Sequence, residues 1–203
     1  MTNLQEQFGH IDIYLFDQLL RRRIRPGMKI LDAGCGYGRN LVYLIHEGFE
    51  VYGADQDGRA IESLNRHTGS DRFRNEPVES MSFPDEFADV VISSAVLHFA
   101  QNDEHFNAML RGSWRCLNPG GLFFCRLASS IGIEHQIKRI AGRRHRLPDG
   151  SDRYLVDEEL LMRLTSELGG TLLDPLKTTV VQNQRSMTTW VLTRNADKRS
   201  GLN

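Results

Sequence analysis

Three glycines at alternate positions follow an acidic residue in the run Asp32-Ala-Gly34-Cys-Gly36-Tyr-Gly38. The apolar segment before it predicts a short buried strand over 29–33, and the segment 40–47 has the spacing of a helix that Gly48 ends. A strand that enters a helix through glycines brings the backbone close to a ligand and leaves N–H groups free to face it. The run therefore predicts a binding site for a nucleotide-like cofactor.

The residues around this turn distinguish between cofactors. The dinucleotide fingerprint GxGxxG needs a third glycine where this chain has Arg39, and no GxxxxGK[ST] phosphate loop occurs. Asp55 ends the next predicted strand, 21 positions after Gly34, where a carboxylate can accept hydrogen bonds from both hydroxyls of a ribose. Asp32 places negative charge where an amino group or a sulfonium is stabilised and a diphosphate is repelled. A tight turn and helix caps explain each feature singly, but their joint occurrence favours S-adenosylmethionine over NAD.

The composition is that of a soluble globular protein. The 203 residues are 40% hydrophobic and 25% charged with a net charge of −1, which disfavours disorder and any global attraction to nucleic acid or anionic lipid. Cys35, Cys116 and Cys125 form no CxxC pair, so the sequence indicates neither a metal site nor a disulfide framework. No signal peptide or membrane-spanning stretch is recognisable, and we expect a cytoplasmic protein.

Strand and helix patterns alternate after the glycine turn. Further strands are predicted at 49–53, 87–93 and 122–127, and helices at 58–67 and 103–117. Such alternation predicts an α/β fold with a parallel sheet that is covered by helices on both faces.

The two ends of the chain depart from this alternation. Apolar spacing from Leu4 to Ile24 predicts an amphipathic helix, whereas periodicity fails over 129–153, where we expect a flap or loop insert. A helix over 156–168 follows. The β-rich segments 171–181 and 187–194 are separated by too few residues for a helical crossover, which predicts an antiparallel pair at the end of the sheet. We expect a single domain, with the N-terminal helix at about 4–24.

Four stretches carry a resemblance to a known family. The run 30–40 closely resembles the first motif of class I S-adenosylmethionine-dependent methyltransferases of the small-molecule type, and Asn118-Pro-Gly-Gly121 resembles their turn before the fifth strand. The stretches 83–91 and 94–99 fit the same pattern. The resemblance implies a Rossmann-like three-layer sandwich, whose seven-stranded, mostly parallel sheet has the order 3-2-1-4-5-7-6 with strand 7 antiparallel.

The resemblance also implies roles for individual positions around S-adenosylmethionine. The methionine end would lie near Asp32, Gly34 and Ser94, the ribose at Asp55, and the adenine beside Gln56, Val78 and Glu79. Many members have an acidic residue where Pro77 stands here, so the backbone of Val78 and Glu79 would take over that contact. The complete set of expected cofactor residues is Asp32, Gly34, Cys35, Gly36, Arg39, Asp55, Gln56, Val78, Glu79 and Ser94.

The acceptor side is less defined by the sequence. The motif implies a position for His98 near the transferable methyl group, where it is either a general base or a structural wall residue. Five further candidates for a small-molecule acceptor pocket are Tyr14, Arg126, His135, Tyr154 and Arg185. Arg126 would suit an anionic acceptor or pair with a carboxylate, and Tyr154 either closes over the pocket or packs against a helix.

Two other functions stay open at this level. The basic cluster Lys138, Arg139, Arg143, Arg144 and Arg146 would suit an RNA methyltransferase, although the sequence has no aromatic platform for stacking bases and its charge is neutral overall. A non-catalytic S-adenosylmethionine-binding protein would show the same cofactor motifs. The oligomeric state is open, with a dimer as one alternative.

Overall fold

A mixed β-sheet forms the centre of the computed structural model, which describes residues 3–196. The strands are β1 (Lys29–Ala33), β2 (Glu50–Asp55), β3 (Phe73–Asn75), β4 (Ala88–Ser94), β5 (Leu117–Ala128), β6 (Lys138–Ala141), β7 (Arg144–Arg146), β8 (Asp152–Tyr154), β9 (Gly170–Leu172), β10 (Lys177–Val181) and β11 (Arg185–Arg194). The α-helices are α1 (Leu4–Phe8), α2 (Ile13–Leu20), α3 (Val42–His46), α4 (Gly58–Thr68), α5 (Asp103–Arg115) and α6 (Glu158–Glu167). Short 3₁₀ turns cover Val78–Ser80 and Leu97–Phe99.

The strand order of the central sheet is β3-β2-β1-β4-β5-β11-β10, with β9 paired to β11. Strands β1 to β5 are parallel, and β11 lies antiparallel between β5 and β10. Once the additional strands β6 to β9 are set aside, this is the expected order 3-2-1-4-5-7-6. The antiparallel pair expected at the end of the sheet is also confirmed, since Val181 pairs with Arg185 across its turn.

Helices cover both faces of the sheet because successive strand residues point to opposite sides. Ile30 and Val90 belong to the core that contains the apolar residues of α2, α3 and α4, whereas Leu31 and Val91 belong to the core of α5 and α6. This three-layer arrangement buries the parallel strands on both faces and leaves their carboxyl edge to the loops. Within residues 3–196, none of the helices is long and apolar enough to cross a bilayer.

The N-terminal segment forms two helices, so the single helix predicted for 4–24 is wrong. Helix α1 ends at Gly9, whose φ of +59° suits glycine. Asp12 then caps α2, because its Oδ1 accepts from the Tyr14 N–H at 3.0 Å while its Oδ2 pairs with Arg126 at 2.9 Å. The apolar spacing continues through this break, and periodicity alone does not detect it.

The segment predicted as a flap or loop insert, about 129–153, contains a three-stranded antiparallel sheet of β6, β7 and β8. Strand β6 is exposed along its whole length, so no apolar alternation marks it in the sequence. The insert leaves and rejoins the fold at one point, where Ser129 and Val156 form an isolated bridge. Asp157 then caps α6, as predicted.

Candidate functional site

The turn between β1 and α3 holds its glycines for two different reasons. Gly34 has a φ of +89°, and a Cβ there would lie 2.3 Å from Val96 Cγ2, which leaves no room for a side chain. The N–H groups of Gly34 and Cys35 donate to the Ala54 carbonyl at 2.8 and 3.0 Å, which ties the turn to β2. Gly36, with a φ of +50°, has open space where a Cβ would point, so a ligand can approach its backbone.

A cavity of about 400 Å³ opens beside this turn, at the carboxyl edge of the parallel strands. Five of the residues expected at the cofactor line it, namely Gly34, Asp55, Gln56, Val78 and Glu79. Pro77 lines it as well, at the place where many family members have an acidic residue. The remaining wall comes from residues 95–109, namely Ala95, Val96, Phe99, Gln101, His105 and Met109.

Asp55 is fixed at the end of β2 by the backbone around it. Its Oδ2 accepts from the Gly36 N–H and its Oδ1 from the Asp57 N–H, both at 2.8 Å. The Asn75 side chain donates to the Asp55 carbonyl at 2.9 Å. Because each carboxylate oxygen has a second lone pair, Asp55 can still accept hydrogen bonds from hydroxyl groups in the cavity.

Asp32 is a buried carboxylate whose negative charge is only partly compensated. It is 1% exposed, and its Oδ1 has no hydrogen-bond partner among residues 3–196. Burial raises the pKa of this carboxyl to about 7, while the nearby charge of Arg39 lowers it. An unpaired buried charge is unfavourable, and a bound cation would compensate it. Together with Asp55, this fits a cofactor that has a positive charge at one end and a ribose at the other.

A second cavity of about 410 Å³ adjoins the first, because Ala95 and Phe99 line both. Ala95 has a φ of +65°, an uncommon conformation for a residue other than glycine, and its N–H donates to the Arg126 carbonyl at 2.7 Å. His98 and four arginines line this second cavity, namely Arg39, Arg126, Arg153 and Arg185. The arginines come from the glycine turn, β5, β8 and β11 respectively.

His98 is buried and neutral. Its Nδ1 accepts from the Ala128 N–H at 3.1 Å, which places the ring proton on Nε2. Burial, with the charge of Arg153 as a second cause, lowers the pKa of this imidazole to about 4. A general base needs a free lone pair and a pKa near the working pH. The geometry therefore supports a hydrogen-bond donor at Nε2 and does not support the base that the sequence suggested.

Known proteins share this architecture. The 1,6-didemethyltoxoflavin-N1-methyltransferase of Burkholderia thailandensis, solved with 1,6-didemethyltoxoflavin and S-adenosylhomocysteine, superposes with a TM-score of 0.71 at 19% identity, covering 96% of this chain and 82% of that one. Residues 31–125 match the family model described as a methyltransferase domain. Over these residues the chain is similar to S-adenosylmethionine-dependent methyltransferases.

Two curated relatives match about half of this chain. The uncharacterized methyltransferase sll0829 of Synechocystis is 31% identical over 100 residues, which are 49% of this chain and 47% of that protein. A ubiquinone biosynthesis O-methyltransferase of Cereibacter sphaeroides is 31% identical over 103 residues, 49% of this chain and 40% of that protein. The chain thus spans less than half the length of these two relatives.

Two residues that the sequence suggested for an acceptor pocket lie elsewhere. Tyr154 is buried, its hydroxyl donates to Asp103 Oδ1 at 2.8 Å, and its ring stacks on Phe106 with centroids 4.5 Å apart. It is a packing residue, because the apolar face of α5 passes directly over it. His135 is exposed in the insert and lines neither cavity.

Tyr14 does not line the second cavity, called the acceptor cavity below, although its ring lies close to Arg126. Its hydroxyl shares a hydrogen bond with Thr179 Oγ1 at 2.8 Å, and its ring lies 5.5 Å from the Arg126 guanidinium carbon. Arg126 itself reaches the cavity and is paired with Asp12, so the structure combines both alternatives that the sequence left open for it.

Two residues expected at the cofactor, Cys35 and Arg39, contribute differently. The Cys35 thiol packs towards Gly53, where a Cβ would lie 2.8 Å from Sγ, and burial raises its pKa, so it is an unreactive core group. Arg39 lines the second cavity and donates to Ser94 Oγ at 3.1 Å. Arg39 therefore lies on the acceptor side of the boundary between the cavities.

Sequence reasoning missed Asp12, Arg153, His105 and Met109 as site residues. His105 and Met109 are four positions apart on α5, and only the packing of that helix shows which of its faces meets the cavity. Arg153 reaches the acceptor cavity because β8 is part of an unrecognised sheet. An aspartate ahead of an apolar helical stretch was the available indication for Asp12 as a cap.

Gly34→Ala should lower the free energy of unfolding more than Gly36→Ala. A positive φ costs an alanine roughly 1–2 kcal/mol at either position. Only at Gly34 does the methyl group also meet Val96, and such overpacking adds about 1–3 kcal/mol. Urea denaturation of both variants without ligand measures the difference. Equal losses would contradict the close approach at Gly34.

Asp32→Asn should stabilise the ligand-free protein above neutral pH and weaken cofactor binding. Because burial raises the folded-state pKa of Asp32 to about 7, the folded protein retains a proton that the unfolded chain has released between about pH 4 and pH 7. Wild-type stability therefore falls by up to about 1.4 kcal/mol per pH unit over this window relative to Asp32→Asn, and the gap stays constant above it. Melting temperatures of both proteins from pH 4 to pH 9 measure it, and parallel curves would show that Asp32 is not buried as a charge.

His98 should remain neutral, with its proton on Nε2, from about pH 5.5 to pH 8, because burial lowers its pKa to about 4. Nitrogen–proton NMR correlations of the imidazole rings measure both the tautomer and the titration, and His98→Asn assigns the signal. A titration midpoint near 6.5 would contradict this prediction and support His98 as a general base.

Proposed function

We propose that this chain transfers a methyl group from S-adenosylmethionine to a small-molecule acceptor. The observation that carries the proposal is the pair of adjoining cavities, of about 400 and 410 Å³, that share Ala95 and Phe99 as their boundary. The first contains the glycine turn and Asp55, and the second provides room for an acceptor next to it. Two ligands bound in this way would meet at the boundary.

Each part of S-adenosylmethionine would have its own contact in or beneath the cofactor cavity. Asp32 would compensate the positive charge at the methionine end, Asp55 would accept from the ribose hydroxyls, and the adenine would lie between Gln56 and the Val78–Ser80 turn. When bound, S-adenosylmethionine supplies an electrophilic methyl group, whose bond to sulfur breaks as a lone pair of the acceptor forms the new bond.

The chain's own residues chiefly align the acceptor and exclude water. Positioning of two reactants in this way is worth roughly 7–11 kcal/mol of a reaction barrier. His98 would donate its Nε2–H to the acceptor and hold it in register, and it would not remove a proton. The acceptor atom must therefore be a nucleophile that is already deprotonated or that needs no proton removed by His98.

Three observations support a small acceptor over RNA. The acceptor cavity is concave and has the volume of a pocket for a small molecule. Within the basic cluster of the insert, Arg143 is paired with Asp157 and Arg146 with Asp152. These ion pairs weaken the attraction of the two arginines for the phosphates of an RNA backbone. The related proteins named above for ubiquinone biosynthesis and 1,6-didemethyltoxoflavin are likewise named for small molecules.

Calorimetry should show that S-adenosylhomocysteine binds the full chain and that NAD does not compete with it. Asp55→Ala should weaken this binding by at least about tenfold, because two hydroxyl hydrogen bonds to a charged group are lost. Asp55 also accepts from Gly36 and Asp57, so melting curves must show that the variant is folded. Asp71→Ala, an exposed aspartate between α4 and β3, is the matched control.

The transfer itself is measured with methyl-labelled S-adenosylmethionine and a panel of thiols, amines, phenols and carboxylates. Label in any product supports the methyltransferase. Cofactor binding without label transfer to any member would favour the non-catalytic alternative, and tighter binding of NAD than of S-adenosylhomocysteine would overturn the proposal.

A further inference from the structure

The acceptor cavity is lined by four arginines, Arg39, Arg126, Arg153 and Arg185, but by only one carboxylate, Asp149. Asp12 lies behind Arg126 and compensates its charge at 2.9 Å. The lining therefore keeps an excess of positive charge, although the protein as a whole has a net charge of −1. Cations concentrated in a concave site attract anions far more strongly than the same cations spread over a surface.

Three of these arginines have no carboxylate within 4.0 Å among the residues that the structure describes, namely Arg39, Arg153 and Arg185. Arg39 donates to Ser94 Oγ at 3.1 Å, and Arg153 Nη1 donates to the Asp152 carbonyl at 2.8 Å, which leaves further N–H donors of Arg153 and those of Arg185 for a ligand.

Asp149 is held within its own turn, where the Ser151 hydroxyl and N–H donate to its Oδ1 at 2.6 and 2.9 Å. These hydrogen bonds, and after them the charges of Arg185 and Arg153, lower the pKa of Asp149, so it compensates the two arginines in part without a salt bridge. The Arg153 guanidinium lies over the Phe99 ring, 4.8 Å from its centroid.

This placement brings Arg153 to the boundary between donor and acceptor. Phe99 lines both cavities, so a group that is bound by Arg153 lies next to the place where the two ligands would meet. Guanidinium groups match the planar oxygens of carboxylates and phosphates with paired hydrogen bonds. The neutral His98 ring would add a hydrogen bond from its Nε2–H to the same anion.

We infer that the methyl acceptor is a small anion, whose carboxylate or phosphate group is bound by Arg153 and Arg185. The role of this anion as methyl acceptor rests on the proposed function, whereas the anion site itself depends only on the arginines and the cavity. An anion of this class also agrees with the lack of a base at His98, because a carboxylate nucleophile has no proton to lose. Where the carboxylate or phosphate is only the anchor, the reacting atom is a separate nucleophile that needs no base.

The first experiment compares matched anionic and neutral probes by calorimetry, on the full chain saturated with S-adenosylhomocysteine. The pairs are benzoate with benzamide, succinate with succinamide, and phenyl phosphate with phenol. Binding of at least one anion, at least about tenfold tighter than its neutral partner, is expected from charge-assisted hydrogen bonds. The carboxylate and phosphate pairs show which group the site prefers. If no anion is preferred, the inference is overturned.

The second experiment locates the site. Arg153→Gln and Arg185→Gln should each weaken the preferred anion by about tenfold or more, while the Lys variants at the same positions retain part of the affinity because they keep the charge. Arg66→Gln removes the same charge from an exposed arginine on α4, paired only with Glu62, and should change nothing. Anion binding that is unaffected by both Gln variants would overturn the inference.

Binding of S-adenosylhomocysteine in the same samples separates the two proposals. Unchanged cofactor affinity in the Arg153 and Arg185 variants shows that the fold and the cofactor cavity are intact. Weaker anion binding in these variants is then a direct effect of the substitution. If the wild-type chain binds the anions through these arginines but does not bind S-adenosylhomocysteine, the proposed function fails while the anion site stands.

Discussion

The parallel pairing of β1 with β4 determines where every part of the site lies. The two strands are in register from Ile30 beside Val90 to Asp32 beside Ile92, and the sheet extends from this pair in both directions. The helices that follow them pack on opposite faces, so their connecting loops diverge at the carboxyl edge and leave a crevice. Gly34 closely approaches Val96 in the loop after β4, beside the cofactor cavity, and the acceptor cavity adjoins that cavity across Ala95 and Phe99.

Charge is divided along this crevice. Asp55 and Glu79 lie in the wall of the cofactor cavity and Asp32 lies beneath the turn, whereas the acceptor cavity is lined by four arginines and one carboxylate, Asp149, among the residues that the structure describes. Under the proposed function, a cationic donor and an anionic acceptor each meet the opposite charge, and the wrong ligand in either cavity meets its own. The arrangement would favour each ligand in its own cavity, because it penalises exchange of the two ligands.

The parts of the fold that depend on local patterns could be predicted from the sequence, and those that depend on packing could not. The strand, the glycine turn and Asp55 follow from short-range spacing, and the structure brings them together as expected. The role of His98 depends on a single backbone N–H from a strand 30 residues away, which no local pattern encodes. Tyr154 and His135 share a polar, aperiodic segment in the sequence, and only the sheet of the insert shows that one is buried and the other exposed.

The chain of the insert leaves and rejoins the fold at one point, where Ser129 and Val156 form a bridge. Within it, Arg143 pairs with Asp157, the cap of α6, so the insert also contacts the helix that follows it. Arg153 belongs to this insert and Arg185 to the terminal hairpin, whereas the glycine turn and Asp55 belong to the first half of the chain. Under the proposed function, substitutions in these two elements could change which acceptor is methylated while the residues around the methyl donor stay the same.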